Sequence, residues 1–418
     1  MSARADVVVT GTEVLTGRVV DRNGTWLAEQ LRRAGVDVGR IVVVGDRPDD
    51  LAAACEFLAH DSDLVITTGG LGPTADDLTV EVVARVQGRE PVLDEALEER
   101  IAAVVARLSR GRGWRLDPEA TAAATRKQAM VPSGAHVLEP VGTAPGLVVP
   151  VAEGRSGPPV LVLPGPPPEL QGMWDAALAN PVVRRALAGA QELRQQTVRL
   201  WGVPESELAA TLRRVDQVGL EVTTCLRGGE VEVVTRFAPE HQDGYDTMVD
   251  AIRAAHPVFS EGPTVDELLA AALDGRGWRI ATAESCTAGM VVARLTDPPG
   301  SSVRVLGGVA SYSDAVKTAA LGVPAELIAD VGAVSAEVAV AMASGARERL
   351  GSDVGVGITG IAGPGGGTQD KPVGLVHVCV QSPQRSVSRE LHLSGGRADV
   401  RERTVRIVFQ LLLELVRA

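Results

Sequence analysis

The chain has 418 residues, more than one ordinary hydrophobic core organises, so two to four domains are expected. It is 45% hydrophobic and 22% charged with a formal charge of −12, which reads as globular and argues against nucleic acid or an acidic membrane as its main partner. Cys55, Cys225, Cys286 and Cys379 form no CxxC pair, no apolar run approaches ~18 residues and no signal-peptide pattern is visible, so the expectation is a soluble cytoplasmic protein without zinc site or disulfide framework.

In chain order, the first segment alternates strand and helix. Residues 5–10 read as a strand ending at Gly11, 23–34 as a helix with Trp26, Leu27 and Leu31 on one face, and 39–46 as a second strand. A helix at 48–60, a third strand at 63–70 and a helix from about Leu78 follow, then a strand at 159–163, an LPGPPPE loop and a helix to about 178. This is the pattern of a doubly wound parallel sheet, which binds ligands at the carboxyl ends of its strands, where Gly11, Asp46 and Gly69 fall. TGGLGPTADD (68–77) brings Gly69, Gly70 and Gly72 together with Thr74, Asp76 and Asp77. Glycines let backbone N–H groups approach a phosphate, and the two carboxylates can share a divalent metal with it. Glu169 ends the proline loop, and Lys127 offers a point charge to a phosphate. The plainer alternatives are helix N-terminal charge for the aspartates, a structural turn for LPGPPPE and a surface position for Lys127.

Residues 190–258 read as a small α+β module, with a hairpin of 221–226 and 230–237 turned by Arg227, Gly228 and Gly229. EGPT (261–264) marks a linker. Beyond it, strands are expected at 278–285, 303–310, 354–359, 373–380 and 387–392, and helices at 335–349 and 398–416. AESCTAG (283–289) sets Ser285 at a strand-to-helix turn, where a hydroxyl is presented while the N–H groups that follow face a developing oxyanion. The rival reading is a helix cap. Cys286 competes as nucleophile but has the character of a small buried residue. Of the histidines in this segment, His377 and His392 sit on expected strands with no acid at an obvious spacing.

Of 41 basic residues only Lys127, Lys317 and Lys371 are lysines. Arginine keeps its proton, whereas a desolvated lysine can act as a base, which makes Lys317 in SYSDAVK the candidate partner of Ser285, with Tyr312 on the approach to it. A surface salt-bridge lysine is the alternative. Thr359 in GITGIAGPGGG (357–367) adds a hydroxyl at a strand end, Gly363 and Gly365 a flexible loop, and Arg397 an anion clamp at the start of the last helix.

GTEVLTG (11–17), TGGLGPTADDLT (68–79), KQA (127–129), GTAPG (142–146) and LPGPPPE resemble the N-terminal domain of the CinA family, a molybdopterin-binding-like fold. AESCTAG, YSDAVK, GAVS (332–335), ITGIAGPGGG and KPVG (371–374) resemble the family's C-terminal nicotinamide-nucleotide amidase domain. The resemblance implies three segments: 1–174, a KH-like module at 175–258, and 262–418. It implies a metal-dependent pyrophosphatase splitting ADP-ribose, with Asp46, Asp76 and Asp77 toward the metal. Asn23, Glu13, Lys127, Glu169, Thr74 and the glycines of 69–72 would then contact substrate. It also implies a metal-free amidase that converts nicotinamide mononucleotide to nicotinate mononucleotide and ammonia, with Ser285 as nucleophile, Lys317 as base, and Tyr312, Thr359 and Arg397 in the site. A homodimer is expected. RNA binding by the middle module is not, since residues 195–258 hold six Arg, no Lys and ten Asp or Glu. The chain departs from the family pattern at Val14, Glu139, Ala288 (where a glycine is usual) and Asp314. An alternative is that one domain alone is catalytic, with the other sensing nucleotides or assembling; a non-enzymatic scaffold is the third.

Overall fold

A computed structural model describes residues 3–112, 116–191, 193–227 and 229–417. The chain divides into two compact units, one of residues up to Gln195 with Phe237–Glu240, the other of Gln196–Arg236 with His241–Ala418.

In the first unit β1 (Arg4–Thr10), β2 (Asp37–Val44) and β3 (Leu64–Thr68) keep the expected order, with ends displaced by up to two residues. The short strands β4 (Pro91–Leu93), β5 (Met130–Pro132), β6 (His136–Leu138) and β7 (Gly146–Val149) precede β8 (Val160–Leu163). At three or four residues they are too brief to show a period, so they were not legible in the sequence. The six-stranded sheet runs β2-β1-β3-β8-β7-β6, parallel through its first four strands and antiparallel at β7 and β6. Both faces are covered, which explains the unbroken apolar runs. Val7 and Val9 of β1 join one core with Leu27, Leu31 and Trp174, while Val8 points into the other with Leu51, Cys55 and Val82. Trp26 meets Trp174 edge to face at 5.7 Å between ring centroids.

In the second unit β9 (Arg194–Leu200), β10 (Leu220–Arg227), β11 (Glu230–Phe237) and β12 (Val258–Glu261) form a sheet in the order β10-β11-β9-β12. The expected hairpin is therefore present, but Gly228 of its turn lies outside the described residues. Arg199 is buried between Glu230 and Glu232 and also donates to the Gly262 carbonyl. The 261–264 segment is consequently a pinned turn rather than a loose linker. Ser260 closes it onto the Pro263 carbonyl, and Thr264 with Glu267 forms a capping box on the helix Val265–Arg276.

The last sheet, β14-β13-β15-β16-β17, comprises β13 (Ile280–Glu284), β14 (Val305–Ala310), β15 (Val354–Gly360), β16 (Leu375–Gln381) and β17 (Ser386–His392). β13 is parallel to both neighbours, and β16 and β17 are antiparallel. Strand β15 explains its own Val-Gly alternation. Val354, Val356 and Ile358 face a core with the helices Val265–Arg276 and Arg397–Arg417. Gly355 and Gly357 face the helix Ala336–Leu350, whose backbone is so close that a Cβ at either glycine would overlap the Ala343 or Ala339 carbonyl. Gly357→Ala should therefore lower stability by about 2–3 kcal/mol, the cost of overpacking a closed layer. A thermal midpoint equal to wild type would show that the helix can retreat.

Candidate functional sites at two sheet switch points

In both units the chain leaves one parallel strand, β1 or β13, for the neighbour on one side and later adds a parallel strand on its other side. This places a crevice at the carboxyl ends of β1 with β3 and of β13 with β15. The crevice of the first unit is a cleft of about 610 Å³. Gly11 follows β1, Asp46 follows β2, Gly69 and Gly70 follow β3, and Gly165 follows β8, all on its wall. Gly69 and Gly70 have φ of 102° and 64°, a left-handed path that glycine takes without a Cβ penalty. Glu13, Asn23, Asp76 and Asp77 line the same cleft.

The carboxylates are partly committed. Asp46 accepts the Thr12 N–H through Oδ2 at 2.8 Å, and Asp77 accepts the N–H and hydroxyl of Thr74 through its Oδ2. Thr74, its own backbone N–H and the Lys127 charge hold the Asp76 carboxyl below the ordinary aspartate value. Asn23 is fixed by two bonds from Nδ2, to Thr68 Oγ1 and to the Gly165 carbonyl. Because a carbonyl only accepts, the amide orientation is unambiguous, and Asn23 Oδ1 is left without a partner.

Four expected ligand contacts fall elsewhere. Lys127 donates to the Thr74 carbonyl, so it fastens the loop and stands outside the cleft lining. Thr74 turns inward to cap Asp77, and Gly72 packs against the same carboxylate. Glu169 lies on the helix Pro167–Ala179, tucked against Gly142, where burial pushes its carboxyl up. No group of three or more His, Cys, Asp or Glu side chains converges as a ready metal site among the described residues. The cleft does carry five acidic residues, Glu13, Asp21, Asp46, Asp76 and Asp77, against Arg22 alone. That all-oxygen, negatively charged donor set fits a hard divalent cation sharing its shell with ligand phosphates.

In the second unit Ser285 follows β13, Tyr312 follows β14, and Thr359 closes β15, so three adjacent strand ends converge. Ser285 is 8% exposed and its N–H bonds the Ile358 carbonyl at 2.9 Å. Lys317, 2% exposed, projects from the first turn of the helix Asp314–Leu321. Its amine donates to the Tyr312 carbonyl at 3.5 Å and pairs with Asp314 at 3.2 Å; no hydrogen bond joins it to Ser285 among the described residues. The residue three positions earlier on the same helix is a nearer partner than the neighbouring strand end. Arg397 donates to the Gly363 carbonyl at 3.0 Å and to the Tyr312 hydroxyl at 2.9 Å, tying the glycine loop to the turn after β14. Gly365 lies on the exposed side of that loop, and Thr359 donates to the Ala333 carbonyl. Burial pushes the Cys286 thiol up to about 11, which removes it as a rival nucleophile near neutral pH.

The three-dimensional structure adds three further residues. Glu284 is fully buried and accepts from Thr282 Oγ1 and from the N–H groups of Gly289, Val291 and Val292. Glu284 thus takes the Gly289 N–H, the Ile358 carbonyl takes that of Ser285, and the Cys286 and Thr287 N–H groups lie against the Cys286 thiol, so of the 285–289 turn the Ala288 N–H is left without a partner among the described residues. Arg401 donates to the Thr287 carbonyl. Glu390, across the β16–β17 pair, faces His377 at 3.9 Å, an acid that linear spacing hid. The signal that could have found Glu284 is a carboxylate ending the short strand IATAE directly before Ser285.

Glu284→Gln should cost about 3 kcal/mol, because an amide offers one acceptor oxygen where four donors converge on two. A thermal midpoint that does not fall would discount the carboxylate as the anchor of this turn.

The comparisons agree with this layout. A family model described as the CinA C-terminal domain matches residues 263–416, and one described as a probable molybdopterin binding domain matches residues 6–185. The chain is 56% identical to a CinA-like protein of Mycobacterium sp. (strain MCS), over 99% of this chain and 98% of that one. It is 52% identical to a CinA-like protein of Mycobacterium tuberculosis (strain ATCC 25177 / H37Ra), over 99% and 97%. Among solved structures, a competence/damage inducible protein of Agrobacterium tumefaciens is 38% identical over 37% of this chain and 96% of its own, with a TM-score of 0.35. Similar to its relatives along nearly its whole length and matched by models at both ends, the chain belongs to the CinA family: a mixed α/β protein with a molybdopterin-binding-like domain followed by a CinA C-terminal domain.

Proposed function

We propose that the chain is a hydrolase whose C-terminal site deamidates nicotinamide mononucleotide to nicotinate mononucleotide and ammonia. The observation that carries this reading is the placement of buried Ser285 directly after β13 and of buried Lys317 on the helix that follows the neighbouring strand β14, where its amine bonds the Tyr312 carbonyl beside the Tyr312–Arg397–Gly363 network. Lys317 bonds the Ser285 hydroxyl as substrate is seated and takes its proton; catalytic hydrogen bonds commonly form only in the complex. The serine oxygen adds to the carboxamide carbon, the C–N bond breaks, and Lys317 returns the proton to the departing ammonia. Water then adds to the ester, gives a proton to Lys317 and releases the acid, and Ser285 regains its proton. Arg397, at the glycine loop, supplies the fixed positive charge for the substrate's 5′-phosphate.

The N-terminal cleft is proposed to split ADP-ribose into adenosine monophosphate and ribose 5-phosphate. Asp46 and Asp77, each with Oδ1 uncommitted, would hold a divalent metal with Asp76 nearby, and the glycine loop would receive phosphate. Such a metal, when bound, neutralises phosphate charge and activates water. With Arg22 the only basic residue on the wall, the five acidic residues would otherwise repel a diphosphate.

Ammonia release from nicotinamide mononucleotide should fall at least about a thousandfold in Ser285→Ala and in Lys317→Arg, since guanidinium keeps charge but cannot serve as base. Full activity in Lys317→Arg would eliminate the lysine mechanism. Asp46→Asn and Asp77→Asn should abolish metal-dependent hydrolysis of ADP-ribose and leave ammonia release intact. Chromatography of both product sets checks this, and equal loss of the two activities would contradict separate sites.

A further inference from the structure

One more residue emerges from the geometry around the nucleophile turn. The helix Arg397–Arg417 presents Arg397 and Arg401 one turn apart, and residues at that spacing share a face. Arg397 reaches the Tyr312 hydroxyl and the Gly363 carbonyl. Arg401 reaches the opposite flank, where its Nη2 donates to the Thr287 carbonyl at 3.1 Å. The Met290 N–H also bonds that carbonyl, at 3.3 Å. A trans peptide is planar, with C=O and N–H pointing in opposite directions. Holding the Thr287 oxygen toward Arg401 therefore turns the Ala288 N–H the other way. The next N–H, of Gly289, is taken by Glu284. Ala288 has φ of 50°, so the chain reverses its sense there, as it does where successive N–H groups form an anion-binding nest. The Ala288 N–H finds no partner among the described residues, three positions after the Ser285 nucleophile.

We propose that Arg401 is a positioning residue: by holding the Thr287 carbonyl it aims the Ala288 N–H as a donor to the oxyanion formed when Ser285 adds to the carboxamide. Glu284 fixes the following peptide, so the turn is held from two sides, and the helix that carries the phosphate clamp also sets the oxyanion site. The proposal rests on the amidase reading. It gives the alanine at 288 a function that depends on its backbone; the methyl group is exposed and plays no part.

The test uses the full chain with two substrates, nicotinamide mononucleotide and its thioamide analogue, whose developing negative charge sits on sulfur and gains less from an N–H donor. In Arg401→Met, kcat for the carboxamide should fall roughly a hundredfold, the effect of losing one oxyanion donor, with KM within about twofold. The thioamide should lose several-fold less, and Arg401→Lys should recover part of the carboxamide rate. Equal losses on the two substrates, a change confined to KM, or no change would each overturn the positioning role. If Arg401→Met fails to fold, the carboxamide-to-thioamide ratio of Arg401→Lys decides in the same way. Folded wild-type protein that releases no ammonia defeats the amidase reading itself, and the Arg401 role falls with it.

Discussion

Parallel strands buried on both faces constrain everything else in this molecule. Such strands leave no side chain free for chemistry along their length, so polar groups gather where the strands end. β1 and β13 are each the strand on either side of which the chain adds its next parallel neighbours, and the acidic cleft lies at the end of one and Ser285 at the end of the other. The low aromatic content follows the same logic. Layers built from Val, Ala and Gly allow helix and sheet backbones to approach closely, as Gly355 and Gly357 do beneath the helix Ala336–Leu350.

The two strand-end regions hold different charged groups. Five acidic residues line the first, so a phosphate ligand there needs a cation with it. In the second unit Arg401 donates into the turn after β13, whose buried carboxylate, Glu284, already accepts four bonds, while Arg397 and Lys317 both bond Tyr312, at its hydroxyl and its carbonyl. All three lysines of the chain donate to backbone carbonyls: Lys127 to Thr74 and Lys317 to Tyr312 in loops, and Lys371 to Val331 at the end of the helix Ala325–Val331. Lys127 and Lys371 thus act as fasteners. Lys317 differs in being almost wholly enclosed, which distinguishes a candidate base from a strut.

Most regular elements were legible because their signals are local. Apolar runs bounded by glycine located β1, β3, β13 and β15, and the strand-end residues Gly11, Asp46, Gly69, Ser285 and Thr359 followed from them. The short strands β4 to β7 carry no period. Asn23, Asp46, Asp76 and Asp77 line one cleft, whereas Lys127, Thr74, Gly72 and Glu169 do not, because a motif names residues without saying which way they turn.

The sequence alone determined the α/β class, the order of the longer elements and the motifs that carry Ser285, Lys317 and the acidic loop. These depend on periodicity and on residue types that are neighbours in the chain. Only the tertiary structure decided which groups meet. Arg401 reaches the Thr287 carbonyl from 114 residues away, Arg397 reaches Tyr312 from 85, and Asn23 reaches Gly165 from 142. The physical reason is that hydrogen bonds of a few ångströms report proximity in space, and strand order, which sets that proximity, is not a local property of the chain.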